Sequence, residues 1–316
     1  MHIRQVCITG LLSLLVSTSS ALAGNDWQST HFGDHPLTGQ ILSIAGQHKL
    51  TLDEVKRRAV QARFVLLGEI HTNPDHHRLQ AEIMQHKVDQ GRRPAFVFEM
   101  VTRAQQPVLD FFAANPPEYL DDIAERLEWD RSGWPDFAMY RPLFQIALKN
   151  RLPLRAGNLA KGTVRRLGGR TGSKLSDAER GQLGLNTPLA PETEKSLLKE
   201  IADSHCNMMP ETVLPLMADI QRARDHVMAS ALLDADNKDG GVLIAGAGHT
   251  RLDWGVGAIV EKARPGRTLS VAFREVFEAA EAADFATDGH HVILVTPRFD
   301  LKDHCAEFRK TRKSKT

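Results

Sequence analysis

The chain has 316 residues, with 40 Lys and Arg against 39 Asp and Glu, a formal net charge of +1, and 42% hydrophobic residues. That balance excludes the basic surface of a nucleic-acid binder and the low hydrophobicity of a disordered chain. The length suits one large α/β domain with a helical insertion.

The first 23 residues read as a secretory signal. Arg4 supplies the positive start, Val6 to Val16 an apolar run too short to span a bilayer, and Ala21-Leu22-Ala23 a small-x-small cleavage pattern. No cysteine follows the cleavage position, so no lipobox is read, and no later segment is apolar enough to span a membrane. Residues 24–316 then form a single exported domain, periplasmic or secreted. Cys7 leaves with the signal. Cys206 and Cys305 remain, an even pair in an oxidising compartment, which predicts a disulfide; two separate thiols are the alternative.

Thr51 with Glu54 three residues on is a capping box opening a short helix. Phe64-Val65-Leu66-Leu67-Gly68-Glu69 is a short apolar run, as for a strand buried on both faces. Asn73-Pro74 then reads as N-cap and first helical position, so Glu69 and His71 sit where a strand turns into a helix. Leu79, Ile83 and Val88 keep helical spacing up to Gly91. A second strand ends near Glu99, and a helix over 103–113 follows. Tyr140-Arg141-Pro142 precedes an apolar helix from Leu143 to Leu148. A third strand ends on Asn158, with Pro153 arguing for an early or edge position. Residues 160–190 read as a loop with one short helix. Residues 191–236 read as two helices split at Pro210, which puts a helical subdomain at about 160–236. Gly240 to His249 is a fourth strand, running apolar into glycines and then His249, and segments 270–273 and 291–295 add two more. The basic tail at about 306–316 reads as a solvated terminus.

This is an α/β pattern: three layers around a largely parallel sheet. Glu69 with His71, Glu99, Asn158 and His249 then share one sheet edge, where ligands bind in open α/β sheets. Two carboxylates and two imidazoles suit either a divalent metal or general acid–base work. A nucleophile elbow and the His-Glu-x-x-His zinc motif are both missing. Taken singly, each of these residues also has a plain reading as a hydrogen-bonded loop residue. His76 and His77, in a first helical turn, read as exposed; His290 and His291 read as surface; His205 beside Cys206 reads as structural. Arg224-Asp225 reads as a solvated pair unless it faces inward.

Gly68-Glu69-Ile70-His71-Thr72-Asn73, Phe98-Glu99-Met100, Trp134 with Tyr140-Arg141-Pro142, Gly157-Asn158, His205-Cys206, Gln221 with Arg224-Asp225, and Gly246-x-Gly248-His249 stand together in order. With these motifs the chain resembles the ChaN-like haem-binding proteins over about residues 60–300. The wider superfamily takes in erythromycin esterases and Tiki metalloproteases. The resemblance implies an α/β fold and haem held at a homodimer interface for iron uptake or haem trafficking. It further implies one tyrosine ligand per iron, and a histidine and a lysine of the partner chain on the propionates. Only Tyr119 and Tyr140 are present; Tyr140, in the family-like segment, is the first expectation and Tyr119 the second. The alternative expectation is a metal-assisted or general-base ester or amide hydrolase using Glu69, His71, Glu99 and His249.

Overall fold

A computed structural model of the chain describes residues 27–309, apart from 46, 47, 117, 119, 170–173, 236, 237, 287, 288, 304, 307 and 308. The expected signal segment, Tyr119 and the end of the basic tail lie outside the described residues. An eight-stranded sheet runs in the order β2-β1-β8-β7-β3-β6-β4-β5. Its strands are β1 (Ile41–Ser43), β2 (His48–Leu50), β3 (Phe64–Glu69), β4 (Ala95–Thr102), β5 (Leu154–Asn158), β6 (Gly241–Gly246), β7 (Thr268–Glu275) and β8 (Val292–Thr296). Strands β3 to β8 are mutually parallel, while β1 runs antiparallel to β8 and β2 antiparallel to β1. The β1–β2 hairpin has no forerunner in the sequence reading: three-residue strands leave too little periodicity to detect. β5 is one of the two edge strands, and Pro153 stands just before it, where its missing N–H is harmless.

Alternation along β3 divides the core. Val65 and Leu67 pack with Leu79, Ile83 and Met84 of α2 (Pro74–Asp89) and with Leu143, Phe144 and Ala147 of α5 (Phe137–Lys149). Phe64 and Leu66 pack on the other face against Met228, Ala229 and Leu232 of α9 (Leu214–Asp234) and Val256 and Val260 of α10 (Val256–Ala263). The result is three layers, helix on sheet on helix. The first face also carries α1 (Leu52–Gln61), α3 (Gln106–Ala114) and α4 (Asp121–Arg126).

Local chemistry sets the helix ends. Thr51 and Glu54 form the expected capping box, with the Glu54 N–H donating to Thr51 Oγ1 at 3.2 Å and the Thr51 N–H to Glu54 Oε2 at 2.6 Å. Asn73 Oδ1 accepts from the Asp75 N–H at 2.9 Å, and Pro74 opens α2. Helix α5 begins at Phe137, earlier than the sequence suggests, so Tyr140 and Pro142 lie inside it. The Asp136 side chain starts it by accepting from the Ala138 N–H at 2.8 Å. Between β5 and β6 lie α6 (Lys161–Leu167), α7 (Asp177–Gln182), α8 (Pro191–Ser204) and α9. The stretch read as holding one short helix therefore contains two.

Cys206 and Cys305 form a disulfide with Cα atoms 5.5 Å apart. It ties the turn after α8 to the C-terminal segment. A loop spanning 99 residues stabilises the folded state by roughly 3–5 kcal/mol in the chain-entropy model. No helix among the described residues is long and apolar enough to cross a membrane.

Candidate functional site

β3 and its neighbour β6 send their following helices to opposite faces, α2 to one and α10 to the other. Such a divergence opens a crevice at the carboxyl ends of the two strands. Glu69 closes β3, and Gly246 closes β6 just before His249. Glu99 lies on β4, the other neighbour of β6. All four expected residues of the polar edge, Glu69, His71, Glu99 and His249, come together there.

Glu69 is buried and holds three partners. Tyr140 donates its hydroxyl to Oε1 at 2.8 Å, and His71 Nδ1 lies 2.9 Å from the same oxygen. His77 Nδ1 lies 3.2 Å from Oε2, within ion-pair distance but without hydrogen-bond geometry. The opposite ring nitrogen of His77, Nε2, is 2.9 Å from the His71 carbonyl, which only accepts. Both His77 nitrogens thus face acceptors: burial opposes the charged form, and Glu69 overrides it and raises the pKa. Glu69 is in turn held far below the usual carboxylate range; burial works against this, and the charges and hydrogen bonds of His77 and His71 prevail.

A second cluster mirrors the first. His249 Nδ1 is 2.6 Å from Asp225 Oδ1, and its Nε2 is 3.3 Å from Glu99 Oε1. Flanked by two carboxylates, His249 is raised from 6.5 to about 10 against the pull of burial. Glu99 is lowered to about 2, against burial, by His249, by His71 and by the Gly246 N–H, which donates to Oε2 at 2.8 Å. Burial pushes Asp225 up to about 6 in spite of His249. Asp225 Oδ2 is buried without a hydrogen-bond partner. The Gln221 amide reaches His249 Nδ1 at 3.0 Å. Asn158 stands behind the cluster, donating through Nδ2 to the Glu99 carbonyl at 2.9 Å.

His71 joins the two clusters. Glu69 fixes its Nδ1, while Nε2 stands 3.8 Å from Glu99 Oε2, beyond hydrogen-bond length. Its side chain is 30% exposed, where Glu69 and Glu99 are almost wholly enclosed. Trp134 packs on the imidazole with ring centroids 4.9 Å apart. Gly246 has no side chain where one would crowd this nitrogen: a Cβ there would lie 3.0 Å from His71 Nε2. The arrangement offers an oriented imidazole with one open nitrogen, next to a buried imidazolium.

The divalent-metal reading gains no support. Among the described residues no group of three or more His, Cys, Asp or Glu side chains could hold a metal ion. In this cluster carboxylates and imidazoles are paired with one another.

His77, Asp225 and Gln221 were not singled out as site residues in the sequence, and His77 and His76 are buried rather than exposed. The Ile70 N–H donates to His76 Nδ1 at 2.9 Å and Thr296 Oγ1 lies 2.9 Å from its Nε2, so His76 is a neutral brace; burial drives its pKa well down. His290 is also buried, with Nε2 2.9 Å from Thr250 Oγ1. Asp225 had a usable signal: Gln221, Asp225, Met228, Ala229 and Leu232 share one stripe of α9 at spacings of three and four, and that stripe faces the sheet.

Residues 55–260 match the family model described as haem-binding uptake, Tiki superfamily, ChaN. The chain belongs to this ChaN family. A solved structure described as cofacial haem binding to ChaN of Campylobacter jejuni superposes with a TM-score of 0.61 at 19% identity, covering 81% of this chain and 95% of that one. The type III effector HopBA1 (TM-score 0.43, 13% identity, covering 78% and 93%) and the erythromycin esterase EreC (0.41, 12%, 86% and 86%) are more distant. No curated protein matches the chain in sequence. The ChaN likeness agrees with the α/β architecture described above.

Proposed function

We propose that this ChaN-family chain is an exported haem-binding protein of iron uptake or haem trafficking, holding haem between two copies through a tyrosine. The observation that carries this reading is the family match over residues 55–260. The residues present fit the group unevenly. Tyr140 is fully buried; burial and the neighbouring Glu69 push its pKa far upward, so it holds its proton and donates it to Glu69. A phenol held in this way is a poor source of the phenolate that ferric iron favours. Tyr119, between α3 and α4 in the chain, therefore becomes the first ligand to test. The helices before and after it in the chain carry groups of a kind that suits haem. Phe111 of α3 is 49% exposed, and the Arg126 guanidinium of α4 lies 5.3 Å from its ring centroid. An exposed aromatic ring suits a macrocycle face, and a guanidinium suits a propionate. Bound haem would supply the iron centre; the chain's part is to ligate it and to bury its apolar faces. The disulfide accords with an oxidising compartment.

Haemin titration followed by size exclusion tests the reading. The expected result is saturable binding near one haem per chain with a shift to dimer, lost in Tyr119→Phe and kept in Tyr140→Phe. Absence of saturable binding in the unmodified protein overturns it.

A second reading rests on the geometry of His71. Its Nδ1 is fixed by a buried carboxylate and its Nε2 is open, the arrangement of a general base. The adjacent His249, held between Asp225 and Glu99, offsets the charge of Glu99 beside His71. In this reading the crevice hydrolyses an ester or amide: His71 takes a proton from water, and Glu69 orients it. Turnover on a panel of simple esters and amides, lost in His71→Ala with the haem spectrum unchanged, is the expected outcome. A wild-type protein inert to the whole panel ends this reading.

A further inference from the structure

The opposite edge of the sheet carries a charge cluster of its own. Arg63 directly precedes β3, Arg92 lies three residues before β4, Asp239 and Lys238 lie just before β6, and Arg267 directly precedes β7. The strands are parallel, so these amino ends meet on one side of the molecule. Together with Lys87 of α2 they line a cavity of about 230 Å³.

The single carboxylate there is already occupied. Asp239 Oδ2 accepts from the Arg93 N–H at 3.0 Å, and Oδ1 lies 3.5 Å from Arg92 Nη1. Lys87 is almost wholly buried and donates to the Ala59 and Ala62 carbonyls at 2.7 and 2.8 Å, closing the end of α1. Burial, and then the charge of Arg92, lower its pKa to about 8, with Asp239 pulling the other way. Five cationic residues therefore line a hollow with one engaged carboxylate, and of these Lys238 and Arg267 are exposed and without an ion pair among the described residues.

We propose that this cavity binds a phosphate group, free or carried on a small ester or lipid headgroup. Guanidinium forks match phosphate oxygens two at a time, and a doubly charged tetrahedral anion uses donors from several directions at once. The volume is below the roughly 300–1,000 Å³ of pockets for drug-sized ligands, which suits a small anion. The cavity lies at the amino ends of the strands, opposite the Glu69–His249 crevice, so the proposal does not rest on the hydrolytic reading.

Two measurements on the full exported chain test the proposal. One is calorimetric titration with inorganic phosphate; the other is co-sedimentation with phosphatidylglycerol vesicles. The comparison protein is the double variant Arg267→Gln, Lys238→Gln, whose exposed positions leave folding intact, checked by an unchanged melting midpoint in phosphate-free buffer. Saturable uptake of phosphate near one per chain, weakened at least tenfold in the variant, supports a free phosphate or small ester. Binding to vesicles alone, lost in the variant, supports a lipid headgroup. Uptake of neither ligand, or equal uptake by the variant, overturns the proposal.

Discussion

Glu69→Ala is expected to destabilise the protein by about 3–5 kcal/mol, the usual cost of removing one partner from a buried charge cluster. The substitution strands more than a hydrogen bond. It takes from His77 the carboxylate that favours its charged form, with its Nε2 still tied to the His71 carbonyl. The Tyr140 hydroxyl is left buried without an acceptor, and His71 loses the group that fixes its ring. Glu69→Gln retains the shape and one acceptor oxygen, so it is expected to fall between the two. Denaturant unfolding with the disulfide intact measures the difference. An alanine variant as stable as the parent would mean that the contacts of Glu69 with His77, His71 and Tyr140 do not stabilise the fold.

The second large effect is a pH dependence with an unusual alkaline limb. His249 rises from 6.5 to about 10 on folding, so its contribution is complete below pH 6.5 and is lost as pH climbs through 10. His77 and His71 are also raised and lose their contributions in the same direction. Glu99 falls from 4.5 to about 2, so its contribution is complete above pH 4.5 and is lost as pH drops toward 2. Asp225 works against the plateau: raised from 3.8 to about 6, it favours the folded state below 3.8 and loses that advantage through 6. The melting midpoint is therefore expected to peak between about pH 4.5 and 6.5 and to decline steadily toward pH 10. The loss over that alkaline range is on the order of 4 kcal/mol at one pKa unit per 1.36 kcal/mol. Calorimetry across the range reads it directly, and a midpoint that stays flat from pH 6 to pH 10 would contradict the paired state of His249. His249→Gln should remove most of the alkaline slope and lower the midpoint at pH 6, because Glu99 and Asp225 then share an enclosed space without a cation.

Much of the frame is visible in local chemistry. Asn73-Pro74 fixes where β3 gives way to α2, and the capping box at Thr51 fixes α1, because both depend on residues within one turn. The apolar runs ending at Glu69, Glu99, Asn158 and His249 give the polar edge, since strands buried on both faces have few other compositions. What lies hidden depends on contacts from afar. His76 and His77 stand in a first helical turn, normally wet, but Thr296 of β8 and Tyr140 of α5 close over them. His290 is enclosed by Thr250, forty positions away in the chain. Asp225 shares its stripe with Met228 and Leu232, yet only the approach of His249 explains a carboxylate there. Tyr140 carries a family-like context, but its position inside a helix that begins at Phe137 places it in the crevice wall beneath Glu69.

The pairing of β3 with β6 has a kinetic side. Phe64 lies opposite Gly241, and β5 and most of the helices come between them in the chain. Neither strand has its central neighbour until that long loop closes, and contacts so distant in sequence slow folding. Glu69 and His77 come from one side of this seam, Asp225 and His249 from the other. The charges therefore find their full set of partners only after the two halves dock. Until then each half exposes an unpaired strand edge and a set of solvated ionised groups. Contact order puts completion of the polar crevice after β3 and β6 dock, and a chain fragment that stops before β6 would lack both the seam and His249.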